Sequence, residues 1–361
     1  MIRFIHAADL HLDSAFGAMS ADRAAERRKE LREIPGRLSD YVNEKGVGLV
    51  LLAGDLFDSS RAYRETAEAL AAAFGRMRAK VLIAPGNHDA YGGLWEQVEW
   101  PENVYIFKEN SMTSLAIGDF VFHGAAFTAS RQTEGLLKGF HAQEDGKIHI
   151  GLLHGEVTSG ESDYNPIHPE DIAASGLHDL ALGHVHKRAE PVRYGKTLTA
   201  WPGCPEGRGF DETGEKGFYE GTISAEGEIR VEFVPFARRR HEIVTVDITG
   251  KDPLAAVEEA VGEDTKDHLY RLILSGETGE EGVDVPALEK TLRERFYALE
   301  IRDTTRMTED LWARAEEDSL RGMFLRELRS RWNSAKTEEE KETVTAAARF
   351  GLAALDHRDL G

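Results

Sequence analysis

The chain has 361 residues, 64 acidic against 44 basic, for a formal net charge of −20 at pH 7. That length holds a full catalytic domain plus one or two smaller modules, and no apolar run approaches the roughly 20 residues needed to span a bilayer. Cys204 is the sole cysteine, which excludes an intrachain disulfide and a thiolate zinc cluster, and the acidic balance argues against tight, unaided binding of nucleic acid while leaving room for nucleic acid held through cations or with a partner's help.

The opening run, 1–8, has no cleavable signal pattern, and with the lone cysteine this makes a cytoplasmic location the expectation. In chain order, short apolar runs at 2–7, 48–53, 81–84, 148–153 and 180–182 read as buried strands. Between the first two, 21–45 is rich in Ala, Arg, Glu and Leu. It reads as a helix interrupted near Pro35, because proline removes a backbone donor and crowds the preceding turn. A second helix is predicted over 61–79, with further strands at 104–107 and 120–123. Strand–helix–strand alternation implies a layered α/β core.

From 196 to 236 the texture turns to β, with strands at 198–201, 217–223 and 229–236 that imply a second sheet packed on the first. Arg238, Arg239 and Arg240 form a basic knot that marks a boundary. Residues 241–305 then read as a small α+β module, with strands at 242–248, 269–274 and 297–302 and helices at 253–261 and 285–295. Two amphipathic helices are predicted over 308–333 and 337–356. Leu320, Phe324, Leu328 and Trp332 make an apolar i, i+4 stripe on the first, which serves equally as a partner surface or as the inside of a helical hairpin. Thr337 with Glu340 is a capping-box signature opening the second. The expected domains are 1–240, 241–305 and 306–361.

The five apolar runs of the first 200 residues share one property: each leads into metal-ligand residue types. The first runs into Asp9-Leu10-His11, the second into Gly54-Asp55-Leu56-Phe57-Asp58, and the third into Gly86-Asn87-His88-Asp89. The fourth ends at His154 and the fifth leads to Gly183-His184-Val185-His186. Open α/β sheets bind ligands at the carboxyl ends of their strands, so five such ends would converge on one site. Alternate residues of an extended segment point the same way, so Asp9 with His11, and His184 with His186, can face one ion. Any one of these motifs is weak alone; their order and placement make the signal.

Carboxylate, imidazole and amide oxygen together suit Mn²⁺, Fe²⁺ or Zn²⁺. Asp9, His11, Asp55, Asn87, His154, His184 and His186 are too many ligands for one ion. They fit two ions about 3.5–4 Å apart that share a bridging carboxylate.

In this order the five motifs resemble the calcineurin-like metallophosphoesterase superfamily. The opening Ile5-His6-Ala7-Ala8-Asp9-Leu10-His11-Leu12-Asp13, with Trp201-Pro202-Gly203-Cys204 and Glu212-Thr213-Gly214-Glu215-Lys216-Gly217, is similar to the SbcD/YhaO-type DNA repair exonucleases, which are related to the Mre-type nucleases. The resemblance covers residues 1–240. It implies a metallophosphoesterase β-sandwich flanked by helices, in four layers α/β/β/α, followed by a small α+β cap module and C-terminal amphipathic helices. It implies one ion on Asp9, His11, Asp55 and His186 and a second on Asp55, Asn87, His154 and His184, with Mn²⁺ the foremost metal. It places His88 beside the scissile phosphate as a catalytic residue, with Asp89 orienting it. Asp58 stands where the archaeal and eukaryotic nucleases have histidine, and reads either as a support behind the ligands or as a helix cap.

The resemblance further implies double-stranded DNA ends as substrate, an SMC-like coiled-coil ATPase docked by the terminal helices, and a homodimer with the 61–79 helix as a candidate face. Arg131, Lys187 and Arg208 are candidates for phosphate contacts, or are simply solvated. Two other functions stand beside the nuclease: a phosphodiesterase or phosphatase acting on small nucleotides or phosphoproteins, and a non-catalytic scaffold for an ATPase.

Overall fold

Strands that read as unbroken apolar runs are buried on both faces, and in the computed structural model, which describes residues 1–279, 282–307 and 311–355, that is where they lie. Ile2–Ala7, Leu49–Leu52, Lys80–Ile83 and Val104–Ile106 pair in parallel, and Gly217–Ile223 and Ile229–Pro235 add antiparallel to the free side of the first. A second six-stranded sheet runs in the order Ala189–Tyr194, Thr197–Trp201, Asp179–Gly183, Ile148–His154, Phe120–Gly124, Thr113–Ile117. Its four central strands are parallel and its two edges antiparallel.

Strand alternation sorts the apolar residues into layers. Phe4, Leu49, Leu51 and Leu82 meet Phe122, Ile150, Leu152 and Ala181 between the two sheets. Their neighbours Ile5, Val50, Leu52, Val81 and Ile83 face Leu31, Ile34, Leu38, Val42, Leu70 and Phe74 of the helices Ala21–Lys45 and Arg64–Gly75. On the far side, Leu153, Leu180 and Leu182 pack on Ile172 of the helix Pro169–Ala174 and on Leu137 and Leu177. The expected α/β/β/α layering is therefore present.

The first helix runs unbroken through Pro35. Pro35 is buried, in one row with the core residues Leu31, Ile34 and Leu38, so burial of that face outweighs the missing hydrogen bond. The second helix is shorter than expected, Arg64–Gly75. Edge strands Thr113–Ile117 and Ala189–Tyr194 carry no apolar run, because half of each faces outward.

Backbone contacts divide the chain into two compact units: residues 1–242 with 267–269, and 243–266 with 270–361. A three-stranded sheet, ordered His241–Asp247, Leu269–Ser275, Ala298–Asp303, packs Val246, Leu272 and Leu274 of the second unit on Val257 and Leu288 of the helices Pro253–Val261 and Val285–Leu292. The predicted helix 308–333 begins later. Residues 308–310 lie outside the described residues, 311–319 form turns, and Ser319 caps Leu320–Ser334 by accepting from the Gly322 N–H at 3.1 Å. The last helix, Glu338–Leu355, opens on the Thr337–Glu340 capping box; residue 356 lies outside the described residues. These two helices pack on each other, with Phe324 against Gly351 and Trp332 near Lys341, but Leu320 and Met323 remain 70% and 61% exposed. The stripe therefore lies partly inside a hairpin and partly at its surface. Among the described residues no helix is long and apolar enough to cross a membrane.

Candidate metal centre

Hydrogen bonding between loops continues the first sheet past its carboxyl edge. The Asp9 N–H donates to the Gly54 carbonyl and the His11 N–H to the Asp55 carbonyl, both at 3.0 Å. Gly183 brings in the second sheet: a Cβ there would lie 1.9 Å from the Ala53 carbonyl oxygen, so only glycine permits this approach. Gly54, at φ 86°, likewise has no room for a side chain against His154. Asp9, His11, Asp55 and His184 are non-glycine residues at φ 56°, 45°, 52° and 90°. Left-handed backbone at such residues costs about 1–3 kcal/mol each and persists only where the surroundings over-determine it.

All seven expected ligand residues meet here. Donor atoms of Asp9, His11, Asp55 and His186 lie within 4.8 Å of one another. His11 Nε2 is 3.0 Å from His186 Nε2 and 3.7 Å from Asp55 Oδ2. On the other side of Asp55, His154 Nε2 is 3.4 Å from Asp55 Oδ2 and 2.9 Å from Asn87 Oδ1, which is 3.2 Å from His184 Nδ1. Asp55 thus borders both sets.

The donor geometry fits a cation. His154 Nδ1–H donates to the Ala53 carbonyl at 2.8 Å, so the ring aims Nε2 at Asn87 Oδ1 and Asp55 Oδ2, a position that a proton or a metal cation can fill. His186 Nδ1–H donates to Glu212 at 2.7 Å, which turns its Nε2 toward the Nε2 of His11, 3.0 Å away. A cation between these atoms would take both nitrogens as ligands. The electrostatics agree. Burial, joined by repulsion from Asp55, pushes the Asp9 carboxyl up to about 7. Burial opposes charge on His154, yet Asp55 and Asp9 hold that ring up to about 9. Burial lowers His11 and His184 to about 4, leaving them neutral and able to ligate.

The calcineurin-like phosphoesterase pattern matches residues 2–188, the stretch that supplies every one of these side chains. This chain belongs to the calcineurin-like phosphoesterase family. Over 324 residues it is 33% identical to the uncharacterized metallophosphoesterase YhaO of Bacillus subtilis (strain 168), covering 83% of this chain and 77% of that one. Over 277 residues it is 22% identical to the DNA double-strand break repair protein Mre11 of Methanopyrus kandleri, covering 69% of this chain and 60% of that one. Among solved structures, TT1561 of Thermus thermophilus aligns with a TM-score of 0.37 and 10% identity, over 64% of this chain and 98% of its own. Calcineurin-like phosphoesterases are hydrolases that use divalent metals, and the Asp/His cluster is where this one could hold them.

Around the cluster, this phosphoesterase departs from expectation at Asp89. Its carboxylate does not meet the His88 ring. It accepts from the backbone N–H groups of Asp55, Leu56, Phe57 and Gly86 at 3.2, 2.7, 3.3 and 2.7 Å, and so staples two site loops together. His88 is exposed and is held otherwise: its Nδ1–H donates to the Asp58 carbonyl at 2.8 Å and its backbone N–H to Asp55 Oδ1 at 2.9 Å. The side chain of Asp58 caps no helix, since Tyr63 stands at that position. Its Oδ1 lies 3.2 Å from His11 Nδ1, off hydrogen-bond alignment, and accepts from Arg208 at 2.9 Å.

Arg208, a candidate phosphate contact or solvated side chain on sequence grounds, is committed to carboxylates instead. It joins Asp58 to Glu212, and Glu212 in turn backs His186. Glu212 has no role assigned by the sequence, although it opens a segment singled out for its resemblance. Arg131 is exposed and pairs with Asp163 at 3.3 Å, and Lys187 is exposed. Beside Asn87 and His88 opens a cleft of about 670 Å³ walled by Ser59, Ser60, Tyr91, Ser130, Arg131 and Tyr164.

A second group of histidines lies on the side of the second sheet opposite Ile148 and Ile150. Ser114 Oγ–H donates to His123 Nδ1 at 2.8 Å, His123 Nε2–H to His149 Nδ1 at 2.9 Å, and His149 Nε2–H to Asp145 at 2.9 Å.

Proposed function

We propose that this phosphoesterase cleaves phosphodiester bonds of DNA, at double-stranded ends, with two divalent ions, Mn²⁺ foremost and Fe²⁺ or Zn²⁺ as alternatives. The observation that carries the reading is the pair of donor sets meeting at Asp55. Asp9, His11, Asp55 and His186 would hold one ion, and Asp55, Asn87, His154 and His184 would hold the other. Such a pair supplies a water nucleophile at neutral pH and stabilises charge on the phosphate.

The chain's own groups do the remaining work. Asp89 sets the distance between the Asp55 and Asn87 loops. With Nδ1–H given to the Asp58 carbonyl, His88 presents Nε2 as the atom that hands a proton to the leaving oxygen. The hydroxyls and rings of the cleft suit a sugar–phosphate strand. The name of the Methanopyrus relative and the modules beyond residue 242 favour DNA over a small substrate. In the same reading the exposed Leu320 and Met323 belong to the surface that docks an SMC-like coiled-coil ATPase, 241–305 is the cap, the protein is cytoplasmic, and copies of the chain pair as homodimers.

The purified protein with Mn²⁺ and end-labelled duplex is expected to shorten the labelled strand. No cleavage, even with the ATPase present, would sink the reading. The net charge of −20, with Glu134, Glu161 and Asp163 on neighbouring loops, favours a second reading, a small-diester phosphodiesterase. Rapid turnover of a chromogenic diester with indifference to DNA would select it.

A further inference from the structure

We infer that Arg208 is a positioning residue that fixes one metal position and leaves the other alone; this rests on the two-ion reading above. The Arg208 side chain is 20% exposed and its guanidinium is a fork between two carboxylates. Nη1 donates to Asp58 Oδ1 at 2.9 Å and Nη2 to Glu212 Oε1 at 2.8 Å, while its backbone N–H donates to Glu212 Oε2 at 2.7 Å. Each carboxylate stands behind an imidazole of the same donor set. Glu212 Oε1 is 2.7 Å from His186 Nδ1, and Asp58 Oδ1 is 3.2 Å from His11 Nδ1. The far nitrogens of those two rings lie 3.0 Å apart. One planar group therefore holds both the carboxylate that hydrogen-bonds the His186 ring and the carboxylate that flanks the His11 ring, a task that suits a guanidinium and not an ammonium.

The other donor set is held without it. His154 is fixed by the Ala53 carbonyl, and Asn87 sits between His154 and His184. Arg208 also does not line the cleft beside His88, and its guanidinium is taken up by Asp58, Glu212, the Ser14 hydroxyl at 3.3 Å and the edge of the His186 ring at 3.1 Å, so it is not a substrate contact.

The test is calorimetric titration of Mn²⁺ into the intact chain, with turnover of a chromogenic diester measured alongside. Arg208→Met should keep one Mn²⁺ at wild-type affinity and bind the second about 10–100-fold more weakly. Its kcat should recover at high Mn²⁺ with KM for the diester unchanged. Glu212→Gln, which preserves shape, should weaken the same ion, and it decides the matter if Arg208→Met does not fold. Arg208→Lys should not restore binding. A raised KM with intact Mn²⁺ affinity, an equal loss of both ions, no loss in Glu212→Gln, or full rescue by Lys would each overturn the assignment. A wild-type chain that binds no Mn²⁺ pair would instead sink the two-ion reading and leave the fork itself unrefuted as geometry.

Discussion

Two histidine groups in the first unit use their ring nitrogens in opposite ways. In the Ser114–His123–His149–Asp145 chain every donor meets an acceptor and every lone pair meets a hydrogen, so neutral rings are fully satisfied. Around Asp55, ring nitrogens from separate strand ends converge on one another and on the oxygens of Asp55 and Asn87, a donor set that a cation would fill. Histidine density does not distinguish a metal centre from a structural network. The convergence of ring nitrogens and carboxylate oxygens within 4.8 Å of one another does.

The largest effect that would break this contrast is at Asp55. Asp55→Ala should remove both ions and lower diester hydrolysis on the order of 10⁴-fold, about 5.5 kcal/mol of barrier; calorimetry that still counts two ions would erase the distinction. His88 lies outside the donor sets, so His88→Ala should bind metal normally while kcat falls roughly 10²–10³-fold. Loss of metal binding in that variant would mean His88 is a ligand.

The smallest effect belongs to the satisfied chain. Burial, with His149 as neighbour, holds His123 at about 4, below its usual value. A ring whose pKa falls on folding contributes stability that is complete above about pH 6.5 and is lost as pH drops toward 4. His123→Phe should therefore flatten that acid loss by roughly 2 kcal/mol in thermal unfolding series, with hydrolysis unaltered. An unchanged slope would mean the chain carries no proton-linked stability.

The sequence revealed the donor residues because each follows an apolar run, and burial on both faces makes such runs visible. It misread Asp89 because the groups that occupy its carboxylate are backbone N–H donors, which no residue pattern displays. Arg208 and Glu212 lie beyond the last motif in a glycine-rich loop after the strand Thr197–Trp201, where no residue pattern displays a carboxylate bridged by a guanidinium. Pro35 misled because local helix chemistry was weighed without the core that the helix covers. The edge strands Thr113–Ile117 and Ala189–Tyr194 were missed for the converse reason, that half of each looks outward.

The left-handed backbone at Asp9 and Asp55 sets foldability against function. Glycine would relax those positions, so Asp9→Gly or Asp55→Gly should give a chain that folds more readily yet cannot hold a cation. The strain is thus a local cost in stability that the cation-binding carboxylates would impose on the loops that carry them.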